Sequence, residues 1–122
     1  MYTFKNNTPI YVQLMNDIKM QVVSGALKEK SKVKSVRELA AEYGVNPNTV
    51  QKALSELEKE GFLKAEKTTG RFVTLPQEKM KDVKMMLAEE KASDFIAWML
   101  KTGYTSQEIN ELVKQQLKKE GA

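Results

Sequence analysis

Two helix-start signals separated by a single glycine constrain the fold of this chain more than any other feature. Ser35-Val36-Arg37-Glu38 fits a capping box, in which the serine oxygen and the glutamate carboxylate each accept a hydrogen bond from a backbone amide that would otherwise lack a partner. Asn46-Pro47 is a second start signal, a capping side chain followed by proline at the first helical position. Gly44 lies between them and can adopt the left-handed conformation that ends many helices. The pattern predicts two helices joined by a tight turn.

The elements around this turn follow from the spacing of apolar residues. A helical period predicts a first helix over residues 9–24, with Thr8 as its cap and Pro9 as its first residue. The same period carries the helix after Asn46 to about Glu60. Residues 26–34 show no clear period and are interpreted as a basic connector.

A hairpin is predicted after the second of the paired helices. Phe62–Glu66 and Arg71–Leu75 have strand character, and the loop between them ends in Gly70, where a positive φ is needed. Helix, glycine turn, helix and hairpin is the order of elements in a winged helix-turn-helix. Four aromatic residues are in register with apolar positions and are predicted to be core: Tyr11, Tyr43, Phe62 and Phe72.

Pro76 marks the start of a helical tail. A helical period continues to about Lys101, Gly103 interrupts it, and a second capping box, Thr105-Ser106-Gln107-Glu108, opens a last helix. We therefore expect a mainly α fold with a small β-hairpin, in which a winged helix-turn-helix over residues 1–75 is followed by a two-helix tail over residues 76–122.

The composition excludes most enzyme chemistry. The 122 residues include no cysteine and no histidine, which removes thiolate nucleophiles, imidazole bases and the commonest structural zinc ligands. Paired carboxylates such as Glu58 and Glu60 have a helical spacing that does not bring them face to face. We predict no enzyme, no metal and no cofactor. Because the chain has neither a long apolar run nor a secretory signal at its start, we expect a cytoplasmic protein with no membrane partner.

The positive charge is confined to one part of the chain. Residues 1–75 contain 12 Lys or Arg against 8 Asp or Glu, whereas residues 76–122 contain 8 of each. An excess of this kind on one domain favours an anionic partner. The alternative is a lysine-rich surface that only keeps the protein in solution.

Polar residues on the second of the paired helices indicate what that partner is. Its apolar face is needed for the core, so Asn48, Thr49, Gln51 and Lys52 are left to point outwards. Amide side chains can make paired hydrogen bonds to adenine, and a helix amino terminus favours an anion. The sequence therefore predicts double-stranded DNA as the partner of this helix.

The same segments resemble the GntR regulators, and within them the short YtrA-type subfamily. The matching segments are Pro9–Leu14, Ser35–Ala40, Gly44–Leu54, Leu57–Gly61 and Gly70–Val73. The chain departs from the family pattern in the connector, where a Pro-Gly pair is common and this chain has Glu29-Lys30-Ser31-Lys32, and at Val33-Lys34-Ser35, where Leu-Pro-Ser is common. The resemblance implies a homodimer that binds an inverted repeat and is joined through the tail.

The candidate site residues follow from the helix, from the hairpin and from this resemblance, which implies a DNA contact for Arg37. Asn46 is expected to act more as a cap than as a reader of bases. The lysines of residues 28–34 are interpreted as a solvated loop more readily than as a DNA contact. The predicted DNA-binding residues are Arg37, Asn46, Pro47, Asn48, Thr49, Gln51, Lys52, Thr69, Gly70 and Arg71.

The tail is interpreted as a dimerisation element, because two helices alone have little core of their own. A small-molecule effector site on the same methionine-rich surface is the alternative. The predicted dimerisation residues are Met85, Leu87, Phe95, Trp98, Met99, Ile109, Leu112, Val113 and Leu117.

The leading hypothesis is sequence-specific transcription control, by repression at an inverted-repeat operator. The runner-up is a winged helix that binds other proteins and has no affinity for DNA.

Overall fold

The fold is that of a winged helix-turn-helix followed by two further helices, as the sequence predicts. The computed structural model describes residues 2–4 and 7–122. The elements are, in order, α1 (Ile10–Val23), α2 (Val36–Tyr43), α3 (Pro47–Lys59), β1 (Leu63–Glu66), β2 (Gly70–Val73), α4 (Gln77–Lys101) and α5 (Ser106–Lys119).

Helices α1 and α3 form the centre of the core, and α2 packs against α3. Residues of α1 at helical spacing, Leu14, Ile18 and Val22, are almost completely buried. The apolar face of α3 is fully buried as well: Val50, Ala53, Leu54 and Leu57. Because this face of α3 is used for packing, the orientation of its opposite face is fixed by the core.

Helices α2 and α3 begin as their capping signals predict. Ser35 Oγ accepts the Glu38 N–H, and the Glu38 carboxylate accepts the Ser35 N–H at 3.0 Å. Gly44 ends α2 in the left-handed conformation with φ +69°, and Pro47 is the first residue of α3. The turn that joins the two helices is therefore specified by short-range signals alone.

The start of α1 differs from the prediction. Pro9 is the residue before the helix rather than its first residue, and its carbonyl accepts the N–H groups of Val12 and Gln13. Thr8 does not cap the helix with its side chain; instead its carbonyl accepts the Gln13 side-chain amide at 2.7 Å. A glutamine one turn into the helix thus contacts the preceding backbone where a threonine cap was expected.

Tyr43 connects the end of α2 to α1. Its ring is buried, its hydroxyl donates to the Asp17 carboxylate, and Gln21 donates to the hydroxyl at 3.2 Å. Burial, followed by the neighbouring carboxylate, raises the pKa of Tyr43 well above its ordinary value. Tyr2 lies edge-on to the same ring, with 5.6 Å between the ring centroids. The hydrogen bonds of Tyr43 with Asp17 and Gln21 help to hold α2, and with it the turn, in place against α1.

The connector is joined to the wing by backbone hydrogen bonds and an isolated β-bridge, where the sequence predicted a basic connector without regular structure. The Val73 N–H donates to the Ser31 carbonyl at 2.9 Å, and the Val33 N–H donates to the Arg71 carbonyl at 2.9 Å. Lys32 is opposite Phe72 in an antiparallel bridge. Val33 is buried between two exposed lysines, so the alternation of a strand is present, but it spans too few residues to give a visible period.

The hairpin has the predicted loop and slightly shorter strands. Leu63 pairs with Val73, and Glu66 pairs with Gly70, in an antiparallel register. Leu63 and Val73 are buried and face the helices, which leaves the alternate positions of each strand outside.

The chain divides into two compact units, residues 1–81 and residues 82–122. Within the second unit, Gly103 has φ +98°, and the Tyr104 N–H donates to the Met99 carbonyl at 3.0 Å, which ends α4. Thr105 and Glu108 form the predicted capping box of α5. Among the described residues, no helix is long and apolar enough to cross a membrane.

Candidate DNA-binding surface

Helix α3 presents a polar face on the side opposite the core. Asn48, Gln51 and Lys52 are exposed, and Thr49 is half-buried at the edge of this face. The exposed Gln51 amide donates to Oγ of the half-buried Ser55 one turn later at 3.3 Å, a surface contact that DNA could replace. The face offers donors and acceptors of the kind that recognise base edges.

The amino terminus of α3 is arranged for an anion. Asn46 Oδ1 accepts the Asn48 N–H at 2.7 Å, so its side chain acts as the cap, as expected. Pro47 occupies the first helical position, and the first turn contains no acidic residue. No carboxylate of this first turn therefore offsets the positive end of the helix dipole.

The ammonium group of Lys52 contacts the ring of Tyr11, a residue predicted to lie in the core. Its Nζ lies 4.1 Å from the centroid of the Tyr11 ring, which belongs to α1 and is only half-buried. This distance is within the range of a cation–π contact. No local sequence signal links the two residues, because the packing of α1 on α3 is what brings them together.

Arg37 lies in the first turn of α2 and is exposed. The neighbouring Glu38 is engaged in the capping box, and the Ser35 backbone N–H is the main cause of the lowered pKa of its carboxyl. The side chain of Arg37 is thus presented at a helix start whose backbone geometry is fixed.

Arg71 of the wing is predicted to contact DNA, but its side chain is not fully exposed. Thr69 and Gly70 are exposed at the loop, but Arg71 is half-buried on the inner face, where its Nε donates to the Glu58 carboxylate of α3. The pairing of Glu58 with Arg71 was not predicted, because the two residues lie on different elements and no spacing rule connects them. The guanidinium is therefore already engaged within the chain, and a DNA contact by Arg71 stays a prediction.

The predicted dimerisation residues, all in the second unit, differ in their exposure. Met99 and Ile109 are buried in the single chain, so these two side chains are not exposed to another chain. Leu87 is half-buried. The remaining large side chains are exposed: Met85, Phe95, Trp98, Leu112, Val113 and Leu117.

The sequence matches the pattern of the family described as "Bacterial regulatory proteins, gntR family" over residues 10–73. The chain is also similar to the HTH-type transcriptional repressor YtrA of Bacillus subtilis, with 31% identity over 112 residues that cover 91% of this chain and 86% of that protein.

Solved structures show the same arrangement. A GntR family transcriptional regulator from Listeria monocytogenes superimposes with a TM-score of 0.79 and 32% identity, covering 92% of this chain and 98% of that one. The AraR DNA-binding domain in complex with operator ORX1 has a TM-score of 0.56 and 26% identity, covering 59% of this chain and 93% of that one. These relatives are transcription regulators and not enzymes. The chain belongs to the GntR family of bacterial regulatory proteins, in its YtrA-type branch.

Proposed function

We propose that this protein is a transcriptional repressor that binds an inverted-repeat operator as a homodimer, with α3 reading bases in the major groove. The outward polar face of α3, formed by Asn48, Gln51 and Lys52, is the observation that carries the proposal. The repressor YtrA and the operator complex of AraR support it by similarity.

Each side chain of this surface has a chemistry that suits one part of a duplex. The amides of Asn48 and Gln51 match the donor and acceptor pattern of adenine in the major groove. Arg37 and Lys52 carry positive charges suited to phosphates, which position a protein on DNA without reading its sequence. Specificity is therefore assigned to the amides, and most of the affinity to the cations.

The tail supports the homodimer. Residues 95–100 of α4 are almost all large and apolar, and consecutive residues lie on every side of a helix. Of these six residues only Met99 is buried, while Phe95, Ile96, Trp98 and Leu100 are exposed. Exposed apolar patches of this kind usually mark an interaction site. A second copy of the tail would cover this patch and remove it from water.

The test is binding of the full chain to its own upstream DNA and to a scrambled duplex, measured by fluorescence anisotropy over a range of salt concentrations. Gln51→Ala and Asn48→Ala are expected to lose about 1–3 kcal/mol on the operator and little on the scrambled duplex, because a paired base contact is lost. Gln115→Ala, an exposed glutamine of α5, is the matched control.

Arg37→Ala distinguishes phosphate contact from base reading in the same assay. A phosphate contact predicts an equal loss on both duplexes and a shallower dependence on salt. If all three surface variants bind like the wild type, the assignment of α3 as the reading helix is wrong. If the wild type binds no duplex at any salt concentration, the protein-interaction alternative replaces the proposal.

A further inference from the structure

The two faces of strand β2 carry different chemistry. Successive residues of a strand point to opposite sides, so Arg71 and Val73 share one face while Gly70 and Phe72 share the other. Val73 is fully buried and Arg71 pairs with Glu58 of α3, which identifies theirs as the inner face. The outer face of β2 therefore has no cation of its own, although the paired strand β1 places the exposed Lys64 opposite Phe72 on that face.

Lys32 brings a cation to that outer face from the connector. Its backbone lies opposite Phe72, and the pleat places its side chain on the same side as Phe72 and Gly70. A Cβ added to Gly70 would lie 3.1 Å from Lys32 Cε and 3.9 Å from its Nζ. The lysine side chain thus crosses the wing at the glycine, in the space that any other residue would occupy.

The ammonium group of Lys32 remains available. Lys32 is exposed, and within the described part of the chain it makes no ion pair closer than 4.0 Å. Its charge reaches the first turn of α2, where it adds weakly to the lowering of the Glu38 pKa that the Ser35 N–H chiefly causes. The side chain of Lys32 therefore lies beside the glycine of the wing, and its charge acts on the helix start that bears Arg37.

We propose that Lys32 supplies the cation with which the wing contacts a DNA phosphate, and that Arg71 instead holds the wing against α3. This inference rests on the proposed function. Three backbone hydrogen bonds join the connector to β2 on either side of Lys32: those of the Lys30, Val33 and Val73 N–H groups. Gly70 has φ +110°, and its lack of a side chain leaves the path of the lysine open.

The test compares Lys32→Gln, Lys32→Arg and Arg71→Gln in the full chain, with Lys28→Gln as a control of equal charge change in the same segment. Lys32→Gln is expected to weaken binding equally on operator and scrambled DNA, and to reduce the slope of log affinity against log salt by about 0.9, the value for one phosphate contact. Lys32→Arg is expected to keep the wild-type slope of log affinity against log salt, because it retains the positive charge. Arg71→Gln is expected to lower the melting temperature and to leave the slope unchanged.

Two results would overturn the inference while the proposed function stands. One is a wild-type slope in Lys32→Gln together with a reduced slope in Arg71→Gln. The other is an equal reduction in Lys32→Gln and Lys28→Gln, which would show only the loss of general positive charge. Melting temperatures measured on every variant separate a lost contact from a lost fold. A wild-type protein that binds no duplex contradicts the proposed function itself, and the inference with it.

Discussion

Lys30 adopts a backbone conformation that ordinarily belongs to glycine. Its φ is +70°, the one positive φ among the non-glycine residues that the structure describes. The resemblance to the GntR regulators is consistent with this conformation, since a Pro-Gly pair is common in the connector, where this chain has Glu29-Lys30-Ser31-Lys32. The conformation is held by the hydrogen bond from the Lys30 N–H to the Val73 carbonyl at 2.8 Å.

Lys30→Gly should therefore stabilise the protein. Relief of the left-handed conformation is worth about 1.5 kcal/mol, and the added freedom of glycine in the unfolded chain removes about 0.75 kcal/mol, which leaves a gain of about 0.75 kcal/mol. Denaturant unfolding would measure it. Lys28→Gly is the matched control, because it adds the same freedom without relieving strain and should lower stability. A loss of stability in Lys30→Gly would contradict the strain argument.

Tyr43 gives a dependence of stability on alkaline pH. Because burial and Asp17 raise the pKa of Tyr43 in the folded protein above its unfolded value near 10, the proton binds more tightly when the chain is folded. The stabilisation is complete below about pH 10 and is lost as the pH rises through the folded pKa.

Tyr43→Phe isolates this effect. At pH 7 the variant should be less stable by about 1 kcal/mol, the usual value of a hydrogen bond, because Asp17 loses the donated hydroxyl. The difference between the two proteins should shrink above pH 10, where lysine titration affects both alike. Unfolding by denaturant at a series of pH values provides the measurement, and a difference that stays constant up to pH 12 would exclude Tyr43 as its source.

Helix α2 depends on its cap more than the other helices do. It has only 8 residues, and helices of this length are not stable in water without tertiary contacts. Ser35→Ala removes the side-chain acceptor of the capping box and should cost about 1 kcal/mol. Ser93→Ala in α4 is the control, since an exposed serine inside a helix gains propensity on becoming alanine. Equal effects of the two substitutions on thermal unfolding would contradict this role for the cap.

The helix starts and the turn were predicted well, because their signals lie within a few residues of one another. Contacts between elements could not be predicted from such short-range signals. The capping boxes at Ser35 and Thr105 and the turn at Gly44 are local, so the sequence sufficed for them. The pairing of Lys32 with Phe72 and the ion pair of Arg71 with Glu58 join distant segments, and only the packed fold brings them together. The DNA contacts assigned to α3 and to the wing stay predictions; what the sequence could not show is that strand alternation turns Arg71 inwards to Glu58.

At the scale of the whole molecule, the excess of positive charge and the exposed apolar surface lie in different parts of the chain. Residues 1–75 carry the entire net charge, whereas residues 76–122 are neutral and contain Trp98, which is 61% exposed. We infer that one part binds DNA and that the other joins two chains. Linking two binding modules raises affinity for a paired site by about 10²–10⁴, because the second contact becomes intramolecular. Loss of the dimer should consequently weaken binding to the inverted repeat and spare the half-site.

Trp98→Ala in the full chain tests this division. An aromatic anchor at an interface is worth about 2 kcal/mol or more, so the dimer should weaken roughly thirtyfold in sedimentation experiments. At protein concentrations where the variant is monomeric, its affinity for the inverted repeat should fall towards its affinity for a single half-site. Its half-site affinity should equal that of the wild type, because Asn48 and Gln51 are unchanged. Lys101→Ala, an exposed residue at the end of the same helix, is the control. A wild-type chain that remains monomeric at tens of micromolar, or a monomeric variant that binds the repeat at full affinity, would remove the tail from the mechanism.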